Sequence, residues 1–225
     1  MSTRGAFGFR INGKDKVTYN HSDSYYSWLM CKLIKQINEH ADLFKDMGKL
    51  KKLANKIKLV KEGKAPKLDL VKKVKDWNEA HKIETLNLNV GANDENTWYC
   101  LLRGIHGHLD YFLDGFPVMI DSLSFLGDSL FCEYAYIVNF DTGMFEIYEG
   151  FNKKSGGRGR YAEMGGEPCY DGGPIYFGVV LVAEIPLEKL ANADNIDEVG
   201  KKLCEILDSE GDGKEKKIEE LLAFA

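Results

Sequence analysis

Apolar and polar residues alternate strictly at the start of the chain. Phe7, Phe9 and Ile11 alternate with small or charged residues, and a second alternating run follows them. The two runs are separated by Asn12-Gly13, a dipeptide that tolerates positive φ at both central positions of a type I′ turn. The pattern therefore predicts an N-terminal β-hairpin.

Further along the chain, the hydrophobic pattern changes between helical and strand spacing. Apolar residues recur at intervals of three and four in some segments, alternate around a Gly-containing turn in others, and run nearly unbroken in one segment before Pro186. The predicted helices cover residues 29–44, 98–113 and 196–207, and the predicted strands cover residues 86–90, 132–140, 144–148 and 175–185. Two hairpins and a further strand packed against helices indicate an α+β fold with a mostly antiparallel sheet.

The composition excludes several classes of protein. The chain has 225 residues, 44% of them hydrophobic, and a net charge of −5, which suits one domain over residues 1–225. No secretory signal is recognisable and no apolar run is long enough to span a membrane. Five widely spaced cysteines without a Cys-x-x-Cys pair are typical of reduced thiols in a cytosolic protein. We expect a cytoplasmic protein with no membrane contact, and the sequence leaves its oligomeric state open.

Residues 45–82 differ sharply from the rest in charge. They contain 13 Lys against 5 acidic residues, a local excess of eight positive charges, so the remaining residues sum to −13. Apolar residues at helical spacing predict two amphipathic helices, broken near Gly63. This Lys-rich helical insert can bind a nucleic acid, an acidic membrane surface or an acidic protein, or it can be a solvated face docked on its own domain. The absence of Arg argues against specific phosphate readout. The candidate contact residues are Lys49, Lys52, Lys56 and Lys58.

Residues 150–174 form a second unusual segment. They include eight Gly and almost no aliphatic residues, without a phosphate-binding signature. The composition predicts a mobile surface loop, and long loops in compact domains are usually functional or disordered. As a lid or partner-binding arm, it would use Arg158, Arg160 and Tyr161.

Two motifs match metal sites only in part. Residues 106–110 begin like the His-x-His-x-Asp motif of metallo-β-lactamases, but Tyr111 replaces the third His. The other motif has the spacing of an EF-hand loop, with Asp208, Glu210, Asp212 and Glu219 as calcium ligands, but Glu215 replaces its usual aliphatic residue. An acidic connector is the alternative. We expect no metal and no cofactor.

The stretch Ser2-Thr3-Arg4-Gly5, followed by residues 19–25, resembles a group of mostly uncharacterised proteins frequent in phages and mobile elements. Those proteins open with a Ser-Thr-Arg hairpin and carry a Tyr-x-His-x-Asp-Gly-Tyr-Pro signature, in which this chain has Ser24 in place of Gly and Tyr26 in place of Pro. With the two unusual segments, this resemblance leads to one hypothesis of function. The chain would be a phage or mobile-element accessory protein in the cytoplasm of a bacterial host, binding and inhibiting a defence or regulatory factor.

The same region is similar to the N-terminal-nucleophile hydrolases of the choloylglycine type, whose fold is a layered sandwich. That similarity implies an amidohydrolase in which Ser2 is the nucleophile and Arg4, Asn20 and Asp23 support it, with His21 as a neighbouring polar group. The Ser2 α-amine would take the hydroxyl proton, which requires removal of Met1. The alternative is structural: residues 2–5 start a strand, Arg4 pairs with a carboxylate, Asp23 caps a turn and His21 hydrogen bonds.

Overall fold

The computed structural model describes residues 3–65, 68–82, 97–105, 107–116, 118–168, 172–211 and 213–223. The strands are β1 (Gly5–Ile11), β2 (Lys14–Asn20), β3 (Lys58–Val60), β4 (Val118–Ile120), β5 (Tyr134–Asn139), β6 (Met144–Glu149), β7 (Gly165–Pro168), β8 (Ile175–Phe177) and β9 (Val180–Pro186). The α-helices are α1 (Cys31–Glu39), α2 (Ala41–Phe44), α3 (Met47–Lys56), α4 (Leu68–Ala80), α5 (Trp98–Leu102), α6 (Leu109–Leu113), α7 (Leu187–Ala191), α8 (Ile196–Asp208) and α9 (Lys214–Ala223). A π-helical turn precedes α1 (Tyr26–Met30), and 3₁₀ turns occupy Arg103–Ile105 and Leu123–Gly127.

Five strands form the main sheet, in the order β2-β1-β5-β6-β9. The predicted N-terminal hairpin is present, and Asn12 and Gly13 have φ values of 52° and 71°, as a type I′ turn requires. β1 also pairs in parallel with β5, with Gly5 opposite Tyr134, whereas the other pairings are antiparallel. The mainly antiparallel sheet with packed helices confirms the α+β prediction, and the layered-sandwich version stays a prediction.

The helices cover one face of this sheet. Phe7, Phe9 and Ile11 point to that face and are buried in the main hydrophobic core with residues of α1, α3, α6 and α8. Phe9 stacks on Phe140, with 5.7 Å between ring centroids, and meets Phe112 edge to face. The alternation in β1 therefore places its large side chains in the core, as period-two spacing predicts.

The Lys-rich segment contributes its apolar side to the same core. α3 buries Leu50 and Ala54 there, and α4 buries Val74 and Trp77. Two helices are present, as predicted, but β3 lies between them and pairs in parallel with β4. This segment is therefore docked on the main hydrophobic core through its apolar side, whereas most of its described lysines are exposed.

The opposite face of the sheet is covered by the Gly-rich segment. Tyr161 and Ala162 are buried against Ala6, Ile137 and Tyr148 from the sheet, and farther along β7 pairs with β8. The prediction of a surface loop is therefore wrong for the part around Tyr161. Short side chains and glycine let this backbone lie close to the strands beneath it, for example at Gly159, where a Cβ atom would come within 2.7 Å of Leu181.

The helix predicted over residues 98–113 is interrupted. α5 ends at Leu102, and α6 begins at Leu109 after a 3₁₀ turn. Gly107 has a φ of 71°, and a Cβ atom there would lie 2.7 Å from Leu29 and 3.2 Å from the Asn20 Oδ1 atom. The close approach and the left-handed backbone explain the break. The strand predicted over residues 86–90 lies outside the described residues.

Gly8 offers a direct test of how tightly the hairpin is packed. A Cβ atom at Gly8 would lie 2.2 Å from the Lys16 carbonyl oxygen and 2.8 Å from the Val17 Cα atom. Since both neighbours belong to the backbone of β2, we expect Gly8→Ala to lower the free energy of unfolding by about 2 kcal/mol or more. Urea denaturation measures this change. Gly63→Ala is the control, because a Cβ atom at Gly63 meets nothing within 4 Å. Equal stability of the two variants would contradict the expectation.

Candidate functional site

The polar residues after β2 are used to build a turn. The Asn20 side-chain amide donates to the Ser22 carbonyl oxygen at 2.6 Å and to the Ser24 hydroxyl at 2.7 Å. His21 contacts the Tyr19 hydroxyl through Nδ1 at 3.4 Å. Asp23 is exposed and has a φ of 56°. Asn20 therefore fits the alternative in which these polar residues build a turn, because both N–H groups of its side-chain amide are engaged within the turn.

Arg4 lies at the start of β1, where its guanidinium lies over the Phe131 ring at 5.4 Å from the centroid. Its backbone N–H, and not its side chain, contacts the Glu133 carboxylate, at 3.2 Å. Ser2 lies outside the described residues. The hydrolase hypothesis thus stays a prediction, and its proposed Asn and Arg are engaged in other contacts.

The four candidate lysines of the Lys-rich segment lie on neighbouring elements and are all exposed. Lys49, Lys52 and Lys56 share the side of α3 opposite its buried residues, and Lys58 follows in β3. We call these four residues the lysine surface. Across the described residues, no carboxylate lies within ion-pair distance of any of them. The lysine surface therefore presents its positive charge to solvent.

Lys16 of β2 fixes the position of this surface. Its ammonium group donates to the carbonyl oxygens of Ala54, Asn55 and Ile57 at 2.8, 3.2 and 2.7 Å. These carbonyls lie at the C-terminal end of α3, where the helix dipole favours a cation. Partial burial and nearby Lys14 lower the Lys16 pKa. The sheet thus holds the end of α3 in place.

The three candidates in the Gly-rich segment have different environments. Arg158 is about half exposed and pairs with Glu184 at 2.8 Å and with Glu215 of α9. Arg160 instead contacts both Glu146 carboxylate oxygens, at 2.9 and 2.6 Å, and Asp15 at 3.2 Å. Tyr161 is only 2% exposed. Arg160 and Tyr161 therefore hold the segment on the sheet, and only Arg158 is placed as a surface contact.

Two of the four residues that suggested a calcium loop lie within helices. α9 begins at Lys214, the seventh position of the motif, so that Glu219 lies well inside a helix. Asp208 ends α8, Glu210 is exposed, and Asp212 lies outside the described residues. No group of three or more His, Cys, Asp or Glu side chains placed to hold a metal ion occurs within the described residues.

Sequence reasoning missed a polar cluster between α1 and α6. Lys32 and Gln36 lie one turn apart on α1, His40 follows at its C-terminal end, and all three meet residues at the α6 N-terminus. The Lys32 ammonium lies 2.8 Å from the His108 Nε2 atom, and the His40 Nε2 atom lies 3.0 Å from Asp110. Gln36 donates to the other Asp110 oxygen at 2.6 Å. We call these five residues the α1–α6 polar cluster.

Burial changes the acid–base properties of this cluster. It lowers the pKa of Lys32 to about 8, against an opposing contribution from Asp110. It lowers the pKa of His108 to about 3, with further lowering by the charges of Lys32 and His81. His108 is therefore neutral at pH 7 and accepts a hydrogen bond from Lys32. The spacing of the three polar residues on α1 was visible in the sequence, but their partners are fixed by the break at Gly107.

Comparison with protein-family models, with curated proteins and with solved structures found no match to this chain. None of the helices in the described ranges combines the length and the apolar character needed to cross a bilayer.

Arg160 and Arg158 form a matched pair for testing the buried ion pair. Arg160→Met leaves Glu146, whose side chain is 3% exposed, without its cation. We expect a loss of about 3 kcal/mol in the free energy of unfolding. Arg158→Met removes two solvent-exposed ion pairs and should cost less than about 1 kcal/mol. Urea denaturation of both variants measures the difference, and similar losses would show that Arg160 is not a structural cation.

His108 should make stability sensitive to acid. The unfolded histidine binds a proton near pH 6.5 and the folded one only near pH 3. The unfolded state therefore holds more protons in this window, so stability falls as the pH is lowered, by about 3 kcal/mol between pH 7 and 4. His108→Gln should remove this part of the loss in urea denaturation across the pH range. The control is His81→Gln, which keeps the Lys32–His108 pair. An acid-induced loss in His108→Gln as large as in the wild type would contradict the assignment.

Proposed function

We propose that this protein acts by binding an acidic macromolecular partner through the lysine surface. The observation that supports this most directly is the exposure of Lys49, Lys52, Lys56 and Lys58 without carboxylate partners among the described residues. The residues outside 45–82 carry a net charge of −13, so the charge is strongly separated along the chain. A localised basic surface on an acidic protein attracts an acidic partner and speeds its association.

The chemistry of the surface favours a protein over a nucleic acid as the partner. Leu59, which follows Lys58 in β3, is 38% exposed and offers an apolar contact near the end of the lysine surface. Protein interfaces commonly combine an apolar centre with a polar rim. Residues 45–82 contain no Arg, and Trp77 is buried in the core, so it offers no surface for stacking a base.

The resemblance to phage and mobile-element proteins supports a more specific version of the proposal. In that version the partner is a host defence or regulatory factor, and the protein inhibits it by covering its acidic surface.

Charge reversal tests the lysine surface. A charge-reversal variant replaces all four lysines by glutamate (Lys49→Glu, Lys52→Glu, Lys56→Glu, Lys58→Glu). At low salt it should bind a fluorescent poly-L-glutamate peptide at least about tenfold more weakly than the wild type does, because four attractive charges become repulsive. Fluorescence anisotropy measures the dissociation constants. The matched control reverses Lys154, Lys189, Lys201 and Lys217, which are exposed and change the net charge by the same amount.

The two variants and a second probe separate the outcomes. Equal weakening in both variants would mean that net charge alone decides the binding and would contradict a defined surface. A 20-base-pair DNA duplex serves as the second probe. Tighter binding of the duplex than of the peptide, lost in the first variant only, would assign the surface to nucleic acid instead.

A further inference from the structure

Two cysteines far apart in the sequence lie side by side in the fold. Cys31 begins α1 and Cys204 lies within α8, 173 positions later, and their Sγ atoms are 3.6 Å apart. A disulfide bond has an S–S distance of about 2.05 Å. The two sulfur atoms are thus already in van der Waals contact, so that closing the remaining gap requires only a small movement.

Gly200 makes this approach possible. It lies one turn before Cys204 on α8, and a Cβ atom at this position would come within 3.1 Å of the Cys31 Sγ atom and 3.2 Å of Ile34. The missing side chain lets α8 pack closely against the start of α1. Because the two helices are held in this way, the thiols meet without a loop that could move them apart.

We infer that Cys31 and Cys204 form an oxidisable dithiol site that reacts with hydrogen peroxide to give a disulfide between α1 and α8. Both cysteines are partly exposed, so a small oxidant can reach them. Cys132, in contrast, is fully buried and bonds the Tyr134 carbonyl oxygen. Neither Cys132 nor Cys100 contacts a second thiol among the described residues.

The two thiols have different parts in the reaction. The hydrogen bond from Cys204 lowers the pKa of Cys31, while burial and the nearby Asp197 oppose this effect. The same hydrogen bond raises the pKa of Cys204. Cys31 is therefore the first to become a thiolate, which is the form that attacks an oxidant.

The reaction balances with peroxide as the two-electron oxidant. The Cys31 thiolate attacks one peroxide oxygen, the O–O bond breaks, and hydroxide leaves and takes up a proton to give the first water. Cys31 is then a sulfenic acid. The Cys204 sulfur attacks the Cys31 sulfur, the S–O bond breaks, and the leaving hydroxide takes the Cys204 proton to give the second water. Two thiols are oxidised and one peroxide is reduced.

Peptide mapping tests the proposal on the full-length protein. The reduced wild type is treated with hydrogen peroxide, remaining thiols are blocked with iodoacetamide, and tryptic peptides are analysed without reduction. The expected result is one cross-linked pair joining the peptides of Cys31 and Cys204, which disappears on treatment with dithiothreitol. Trypsin can separate the two, because Lys32 and Lys202 flank them. The proposal would be overturned if Cys31 and Cys204 were both still alkylated after peroxide treatment. It would also be overturned if either were cross-linked instead to Cys100, Cys132 or Cys169.

Variants and thermal unfolding supply independent readouts. Cys204→Ser should accumulate a sulfenic acid at Cys31 that dimedone traps, and Cys31→Ser should give no cross-link, whereas the control Cys100→Ser should behave like the wild type. Since the bond closes a very long loop, oxidation should raise the Tm of the wild type by roughly 5–10 °C. An unchanged Tm alongside an intact cross-link would overturn the inference that the native packing accommodates the bond.

Discussion

A carboxylate buried within a β-sheet needs a cation and hydrogen-bond donors, and here this requirement holds the Gly-rich segment against the sheet. Glu146 of β6 meets Arg160 and accepts hydrogen bonds from Asn139 at 2.6 Å and Tyr148 at 3.0 Å. Arg160 also reaches Asp15 of β2. One side chain of an irregular segment therefore connects two strands of the sheet and compensates the charge of the buried Glu146 carboxylate.

The composition of the covering segment explains why an ion pair is needed. Residues 150–174 contain almost no aliphatic side chains, so hydrophobic burial alone gives them little reason to stay on the sheet. Tyr161 and Ala162 supply a small apolar contact, and the Arg160 guanidinium lies 4.6 Å from the centre of the Tyr161 ring. The ion pair and the ring contact together fix a stretch that its composition would leave as a loop.

Local sequence patterns predicted the hairpins, but they could not predict which distant strands pair with each other. The alternation around Asn12-Gly13 and around Gly143 located both hairpins, because each depends only on neighbouring residues. The parallel pairing of β1 with β5 joins segments about 130 residues apart, and no local pattern encodes it. The break at Gly107 was missed for the same reason, since it depends on contacts with Asn20 and Leu29 from other elements.

The candidate sites show the same division. Exposure of Lys49, Lys52 and Lys56 follows from their spacing opposite the apolar side of α3, so the sequence was sufficient to locate this part of the lysine surface. The sequence could not show that Arg158 is exposed whereas Arg160 pairs with a buried carboxylate. The two residues belong to the same segment and differ only in which carboxylates the fold places near them. Likewise, the spacing of Lys32, Gln36 and His40 marks a polar side of α1, but only the fold places His108 and Asp110 against it.

Under the proposed function, the rigidity of the backbone beneath the lysine surface would favour binding there. Lysine side chains lose much conformational entropy when they are held in contacts, which limits their contribution to affinity. The backbone beneath them, however, is already ordered by Lys16 at the end of α3 and by the pairing of β3 with β4. Binding of a partner would therefore reduce the conformational entropy of the lysine side chains, but it would not have to order the backbone of α3 and β3. For the proposed partner, this would favour rapid, salt-sensitive association, with specificity left to apolar contacts such as Leu59, which is 38% exposed and follows Lys58 in β3.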